Sequence, residues 1–209
     1  MFVVAVANTK GGCGKTTLAT HLAASFACRG YATGLADLDR QKSALGWLKR
    51  RPAGAAPIQG INLAREEDIP EGIERLVVDA AAAMDKDVVK DIVRRADLVV
   101  VPVLPGVFDE DGTARFVGHL ESLKSIRKNR RDVAFVANRV RLNTRVLTRL
   151  GSFLEELSFP VIARLRDTQH YTATAAEGLS LFDLPGGRAA DYRAEWTPLL
   201  DFIEIRVRG

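Results

Sequence analysis

Cysteine is almost missing from this sequence. Among 209 residues only Cys13 and Cys28 occur, too few for a disulfide framework and, beside just three histidines, too few for a closed four-ligand zinc site. That usage fits a reducing compartment. His21, His119 and His170 are scattered and form no metal spacing. Aromatic residues are sparse at 7%, and Trp47 and Trp196 read better as packing or partner contacts than as stacking platforms for bases. No run of about 18 apolar residues occurs, which removes a spanning helix from consideration. Met1 to Ala7 meets Asn8, Thr9 and Lys10 before it can form a signal h-region, so a cytoplasmic chain is expected. An excess of one charge is also lacking. Thirty Lys and Arg against 26 Asp and Glu leave +4, and by itself that balance names no nucleic-acid partner.

What is present is a hydrophobic share of 47% in a length suited to one domain, residues 1–209. Apolar runs recur at Phe2 to Ala7, Leu76 to Asp79, Leu98 to Val103 and Val133 to Asn138, with helix-length stretches between them. They are continuous instead of alternating, as strands covered on both faces are. Leu18, Leu22, Ala23 and Phe26 share a helix face, as do Val88, Val89, Ile92 and Val93, then Phe116, Val117, Leu120 and Leu123, then Leu147, Leu150, Phe153, Leu154 and Leu157. The expected class is α/β: a doubly wound, mostly parallel sheet with helices on both faces. Arg51 to Gly60 is expected as a loop, and Leu184-Pro185-Gly186-Gly187 as a turn before a final helix.

The strongest chemical signal follows the first strand: Asn8-Thr9-Lys10-Gly11-Gly12-Cys13-Gly14-Lys15-Thr16-Thr17, leading directly into a helix. Glycines let backbone N–H groups turn inward on phosphate oxygens, and the helix N-terminus adds partial positive charge there. Lys15 reaches β and γ phosphates as a point charge, and Thr16 offers a hydroxyl to Mg²⁺. The strict G-x-x-x-x-G-K-[ST] pattern fails at its first glycine, which is Thr9.

In that departure the segment resembles the deviant Walker A motif of the ParA/MinD family, K-G-G-x-G-K-T, with Lys10 as the added lysine. The resemblance implies a P-loop NTPase fold, ATP with Mg²⁺, and an ATP-sandwiched dimer in which Lys10 reaches the partner's phosphates. As a plain alternative, Lys10 is a solvated loop cation. Leu35-Ala36-Asp37-Leu38-Asp39-Arg40-Gln41 looks like the family's D-x-D-P-Q segment, with Arg40 in place of proline. Carboxylates at a strand's C-terminal end face the ligand crevice, so Asp37 and Asp39 are candidates to order the hydration of Mg²⁺ or the attacking water. The resemblance gives the water to Asp39 and a supporting part to Asp37. Loop acids that merely cap a helix are the alternative for both.

Leu76-Val77-Val78-Asp79 reads as a Walker B strand whose aspartate binds Mg²⁺ directly or through water. In the family a Pro- or Gly-containing switch follows, whereas here Ala80 to Ala83 do. Alanine resists positive φ, so a stiffer switch and slow hydrolysis are expected.

Asn138-Arg139-Val140-Arg141 lacks the carboxylate of a guanine-reading Asn-Lys-x-Asp segment, which disfavours GTP. The Asn138 amide can both donate to and accept from adenine, and a strand-end Asn that only forms a turn is the alternative. Residues 112–176 hold 12 Lys and Arg against 5 acids, a local +7. Lys124, Arg127, Lys128, Arg141, Arg145, Arg149, Arg164 and Arg166 are candidate contacts to DNA phosphates, with no base reading. Arg130 and Arg131 belong to the same count. The four-residue spacing of Arg141, Arg145 and Arg149 makes a stripe if their helix starts near Arg141. An ordinary solvated face is the competing reading.

The expectation is therefore a slow, ParA-like ATPase, cytoplasmic and nucleoid-associated. It dimerises on ATP, binds nonspecific DNA and moves a plasmid, chromosome region or other cargo through a small ParB-like or adaptor partner that stimulates hydrolysis. A nucleotide-gated scaffold with little hydrolysis is a second reading. Positioning at a membrane in the MinD manner is a third, disfavoured because Leu199 to Gly209 carries Asp201 and Glu204 beside Arg206 and Arg208.

Overall fold

The computed structural model of the chain describes all residues except 66, 129, 130, 142, 143 and 209, and at 107, 146 and 188 the backbone alone. Arg130 therefore lies outside the described residues. In order along the chain come β1 (Phe2–Val6), α1 (Lys15–Cys28), β2 (Thr33–Asp37), α2 (Ser43–Arg50), β3 (Gln59–Ile61), β4 (Arg75–Asp79), α3 (Lys86–Arg95), β5 (Leu98–Val103) and α4 (Val107–Ser122). After these come α5 (Lys124–Arg127), β6 (Asp132–Val140), α6 (Arg145–Glu155), β7 (Val161–Arg166), α7 (Gln169–Ala176), α8 (Arg188–Ala194) and α9 (Thr197–Arg208).

The strands form one sheet in the order β3-β2-β4-β1-β5-β6-β7, and every pairing in it is parallel. All C-terminal strand ends therefore share one rim. The continuous apolar runs have the expected cause, because alternate residues of each strand enter separate cores. Val3 and Ala5 pack with Val89, Ile92, Phe116 and Leu150 on the α3–α4–α6 side. Val4 and Val6 pack with Leu18, Leu22, Trp47, Trp196 and Leu199 on the other. Trp47 and Trp196, 2% and 0% exposed, are core residues.

Three readings change. The expected loop at Arg51 to Gly60 ends in β3, which begins at Gln59. The final helix is two, α8 and α9. The stripe of three arginines is also broken, because α6 begins at Arg145. The Thr144 hydroxyl accepts the Leu147 N–H at its N-cap, so Arg141 falls beyond the end of β6 instead of on the helix. Strand β7 has no apolar run to betray it, since an edge strand can carry Arg164 and Arg166. Among the described residues no helix is long and apolar enough to cross a membrane.

Candidate functional site

The Gly-rich segment leaves β1 at the middle of the strand-end rim. Asn8, fully buried, anchors it. Its amide donates to the Pro102 carbonyl (3.0 Å) and the Thr113 hydroxyl (3.2 Å), and its Oδ1 accepts the Lys10 N–H (3.1 Å). Gly12 and Gly14 take left-handed φ of 75° and 95°. At Gly14 a Cβ would also lie 2.2 Å from the Asn138 amide nitrogen, so glycine is required twice over. Helix α1 then starts with no side-chain cap and no acid in its first turn. Its first-turn amides are thus available to an anion. Lys15 is 7% exposed and its Nζ donates back to the Lys10 carbonyl (2.9 Å).

The carboxylates divide by role. Asp37 ends β2 with both oxygens engaged: Oδ1 accepts from the Asp39 N–H (2.9 Å), Oδ2 from those of Ala44 (3.0 Å) and Leu45 (3.2 Å). It caps α2, and burial still raises its pKa against the pull of those amides. Asp39, half-buried, accepts the Gln41 N–H at 2.9 Å. Asp79 is 1% exposed, and its Oδ1 has no hydrogen-bond partner among the described residues. Burial pushes it up to about 7; the Thr16 hydroxyl opposes that rise, Asp37 adds to it, and the Lys15 ammonium opposes it. An orphaned buried carboxylate oxygen beside a threonine hydroxyl suits a divalent cation. Among the described residues no three His, Cys, Asp or Glu side chains form a metal cage. Mg²⁺ needs none, because it keeps waters and phosphate oxygens as ligands.

Asn138 sits at a register irregularity between Ala137 and Val140 on β6, where Arg139 adopts φ 51°. Such a bulge re-aims a side chain. The Asn138 amide donates to the Cys13 carbonyl (2.9 Å) and its Oδ1 accepts the Arg139 N–H (3.0 Å). Both polar ends are engaged by the protein, and the residue is 3% exposed. It braces the phosphate loop. Cys13 itself is buried, and burial raises its thiol pKa.

The alanine switch holds a surprise. Ala83 adopts the left-handed conformation that alanine was expected to resist, at φ 52°, while its N–H donates to the Thr9 carbonyl (3.0 Å). Lys10 lies over Gly112 of α4, with its Nζ 3.9 Å from Asp109 Oδ1. The next residue, Glu110, accepts from Arg149 at 2.5 Å. Nothing in the sequence signalled either acid, because only the fold brings the first turn of α4 to these cations.

The basic candidates do not form one patch. Lys124, Arg127 and Lys128, all exposed, precede β6. Arg141 and Arg145 follow its far end, about 30 Å of strand away. Arg141 pairs with Asp167 (3.5 Å), Arg149 with Glu110 and Arg166 with Glu195. Arg145 and Arg164 are exposed, with no ion-pair partner among the described residues.

A Gly-rich loop between a central parallel strand and an uncapped helix, with buried carboxylates on neighbouring strand ends, defines a P-loop nucleotide-binding protein. The family described as the CobQ/CobB/MinD/ParA nucleotide binding domain matches residues 4–181, and the chain belongs to it. It is 29% identical to maintenance of carboxysome distribution protein A of Halothiobacillus neapolitanus, covering 90% of this chain and 91% of that protein. It is 34% identical to the protein of the same name from Gloeobacter kilaueensis, covering 97% and 94%. The ATP complex of a Cyanothece McdA variant shares the fold, with a TM-score of 0.70 at 13% identity over 99% of this chain and 96% of the other. So does cobyrinic acid a,c-diamide synthase of Mycobacterium smegmatis with an ATP analogue and magnesium, at a TM-score of 0.66 and 17% identity over 84% and 93%.

Proposed function

We propose that the chain is a Mg²⁺-dependent ATPase of the ParA kind. It dimerises around ATP, holds DNA without reading bases in that state, and positions a large cargo for a partner that stimulates hydrolysis. The observation that supports the nucleotide half best is Asp79, whose buried Oδ1 lacks a partner beside Thr16 and the uncapped start of α1. The names of the relatives favour a carboxysome or a similarly large body as cargo.

In this reading the backbone from Gly11 to Thr17 cradles the phosphates, Thr16 and Asp79 hold Mg²⁺, and Asp37 supports them from the end of β2. Bound Mg²⁺ supplies charge neutralisation at the terminal phosphates. Lys15 stabilises developing charge within the chain, Lys10 does so across the dimer, and Asp39 orients the attacking water; positioning and electrostatics provide most of the catalysis. Asn138 keeps the loop in shape. Arg145 and Arg164, exposed and without an ion-pair partner among the described residues, are the leading phosphate contacts, and such contacts are strongly salt-dependent.

Retention on a DNA-coated surface tests the reading. Wild-type protein is retained with Mg²⁺ and ATP and lost with ADP, Arg145→Glu weakens retention, and Lys10→Ala neither dimerises nor is retained. Equal retention with ATP, ADP and no nucleotide contradicts it. The strained alanine switch, tied to Thr9, favours one second reading, a dimeric scaffold with little turnover. Phosphate release at background in excess DNA and partner would establish that version.

A further inference from the structure

A groove of about 890 Å³ lies between α2, the chain from Arg51 to Ile58 and the edge strand β3, within the size range of ligand clefts. Three features of its walls ask for a ligand. Asn62 is 7% exposed, and its Oδ1 is buried with no hydrogen-bond partner among the described residues. This acceptor needs an N–H. Lys42, Lys49 and Arg65 also line the groove, and none has an ion-pair partner among the described residues. Glu67, an acid on the same wall, is engaged by the Asn62 N–H at 2.7 Å. Finally, β3 is the terminal strand of the sheet, paired on one side only with β2. Its outer edge is a template for another extended chain.

We propose that this groove binds an extended acidic peptide segment of a partner protein. The segment adds to β3, gives a backbone N–H to Asn62 Oδ1 and sets its carboxylates against Lys42, Lys49 and Arg65. Gln41 and Lys42, which also line the groove, hold Asp39: the Gln41 N–H donates to Asp39 Oδ1 (2.9 Å) and the Lys42 N–H to its carbonyl (3.0 Å). Lys42 is itself held at φ 54°. A peptide that shifts Lys42 therefore shifts Asp39, so the groove becomes the port through which a partner stimulates hydrolysis. That last step rests on the proposed ATPase reading; the binding step does not.

The test uses a fluorescein-labelled peptide of about eight residues alternating Asp or Glu with Val, a length and pattern suited to one strand. Its lysine counterpart and a short DNA duplex run in parallel, by fluorescence anisotropy on the full chain without nucleotide. The acidic peptide binds saturably below about 1 mM, and Lys49→Glu with Arg65→Glu weakens it by at least about tenfold. Asn62→Leu removes the orphan acceptor, so that variant is at least as heat-stable as the wild type and binds the peptide several-fold more weakly. Unchanged binding in these variants, equal binding of the lysine peptide, or no saturation at that concentration overturns the proposal. Duplex binding lost in the same charge variants, with none of the peptide, assigns the groove to nucleic acid and overturns it too. If the peptide binds but ATP turnover in the wild type does not rise, the stimulating role falls while the site stands.

Discussion

The strand-end rim and the aromatic cluster behind α1 treat their polar groups in opposite ways. At the rim, Asp79 Oδ1 is buried without a partner. The non-glycine residues with left-handed φ among those described, Lys42, Ala83 and Arg139, all follow or end strands there. Each costs on the order of 1–2 kcal/mol. In the cluster every polar atom is served. His21 Nδ1 donates to the Thr17 carbonyl (2.9 Å), its Nε2 accepts the Leu181 N–H (3.3 Å), and the Trp196 indole donates to the Tyr171 hydroxyl (3.1 Å). The His21 and Trp196 rings stack at 5.2 Å. Left-handed φ in the described non-glycine residues thus falls at the strand-end rim, while the cluster packs against the far side of α1.

Four substitutions test this contrast. Gly14→Ala combines positive φ with a contact that Asn138 must yield to, and costs about 4 kcal/mol in thermal unfolding together with measurable ATP affinity; a variant that still binds ATP normally would remove the loop's special geometry.

The two regions respond to pH in opposite senses, the rim through the raised pKa of Asp79 and the cluster through the lowered one of His21. Burial lowers the His21 pKa from 6.5 to about 4, so between those values the unfolded chain holds more protons than the folded one. The stability this neutral imidazole contributes is complete above pH 6.5 and is lost as pH falls towards 4, about 3 kcal/mol in all. His21→Phe starts from a lower melting temperature at pH 8 and shows a flatter decline through that window. An unchanged slope breaks the assignment.

Asn138→Ala frees the Cys13 carbonyl and costs about 2 kcal/mol. Because both ends of Asn138 serve the protein, calorimetry is expected to show ATP, GTP and inorganic triphosphate weakened alike; a loss confined to ATP would make it a base reader. The smallest effect is at Ala83. Glycine there relieves left-handed strain at an added entropic cost to folding, so Ala83→Gly raises stability by no more than about 1 kcal/mol, while phosphate release accelerates. Unchanged turnover counts against a stiff switch.

Much of this was legible beforehand. The phosphate loop could be read because its requirements are local: glycines for φ, a lysine for charge, a threonine for Mg²⁺. The sheet could be read because strands buried on both faces lose all polar alternation. Asp37 was harder, since its capping role depends on α2 folding back onto the strand end. The arginine stripe depended on a helix start near Arg141, which four-residue spacing does not fix, and the Thr144 cap sets that start at Arg145. The brace at Asn138 needed a bulge, and the Asp109 and Glu110 pairings needed α4 to arrive beside Lys10 and α6. Such contacts are long-range and leave no trace in spacing.

The central claim is that a triphosphate in this loop joins two copies of the chain through Lys10. Light-scattering mass measured with Mg²⁺ and a non-hydrolysable ATP analogue tests it most directly. The account predicts twice the 22.8 kDa chain mass for the wild type and the single mass for Lys10→Ala, which still binds the analogue. A wild type that binds the analogue and stays monomeric, or a Lys10→Ala protein that dimerises as readily, would contradict it.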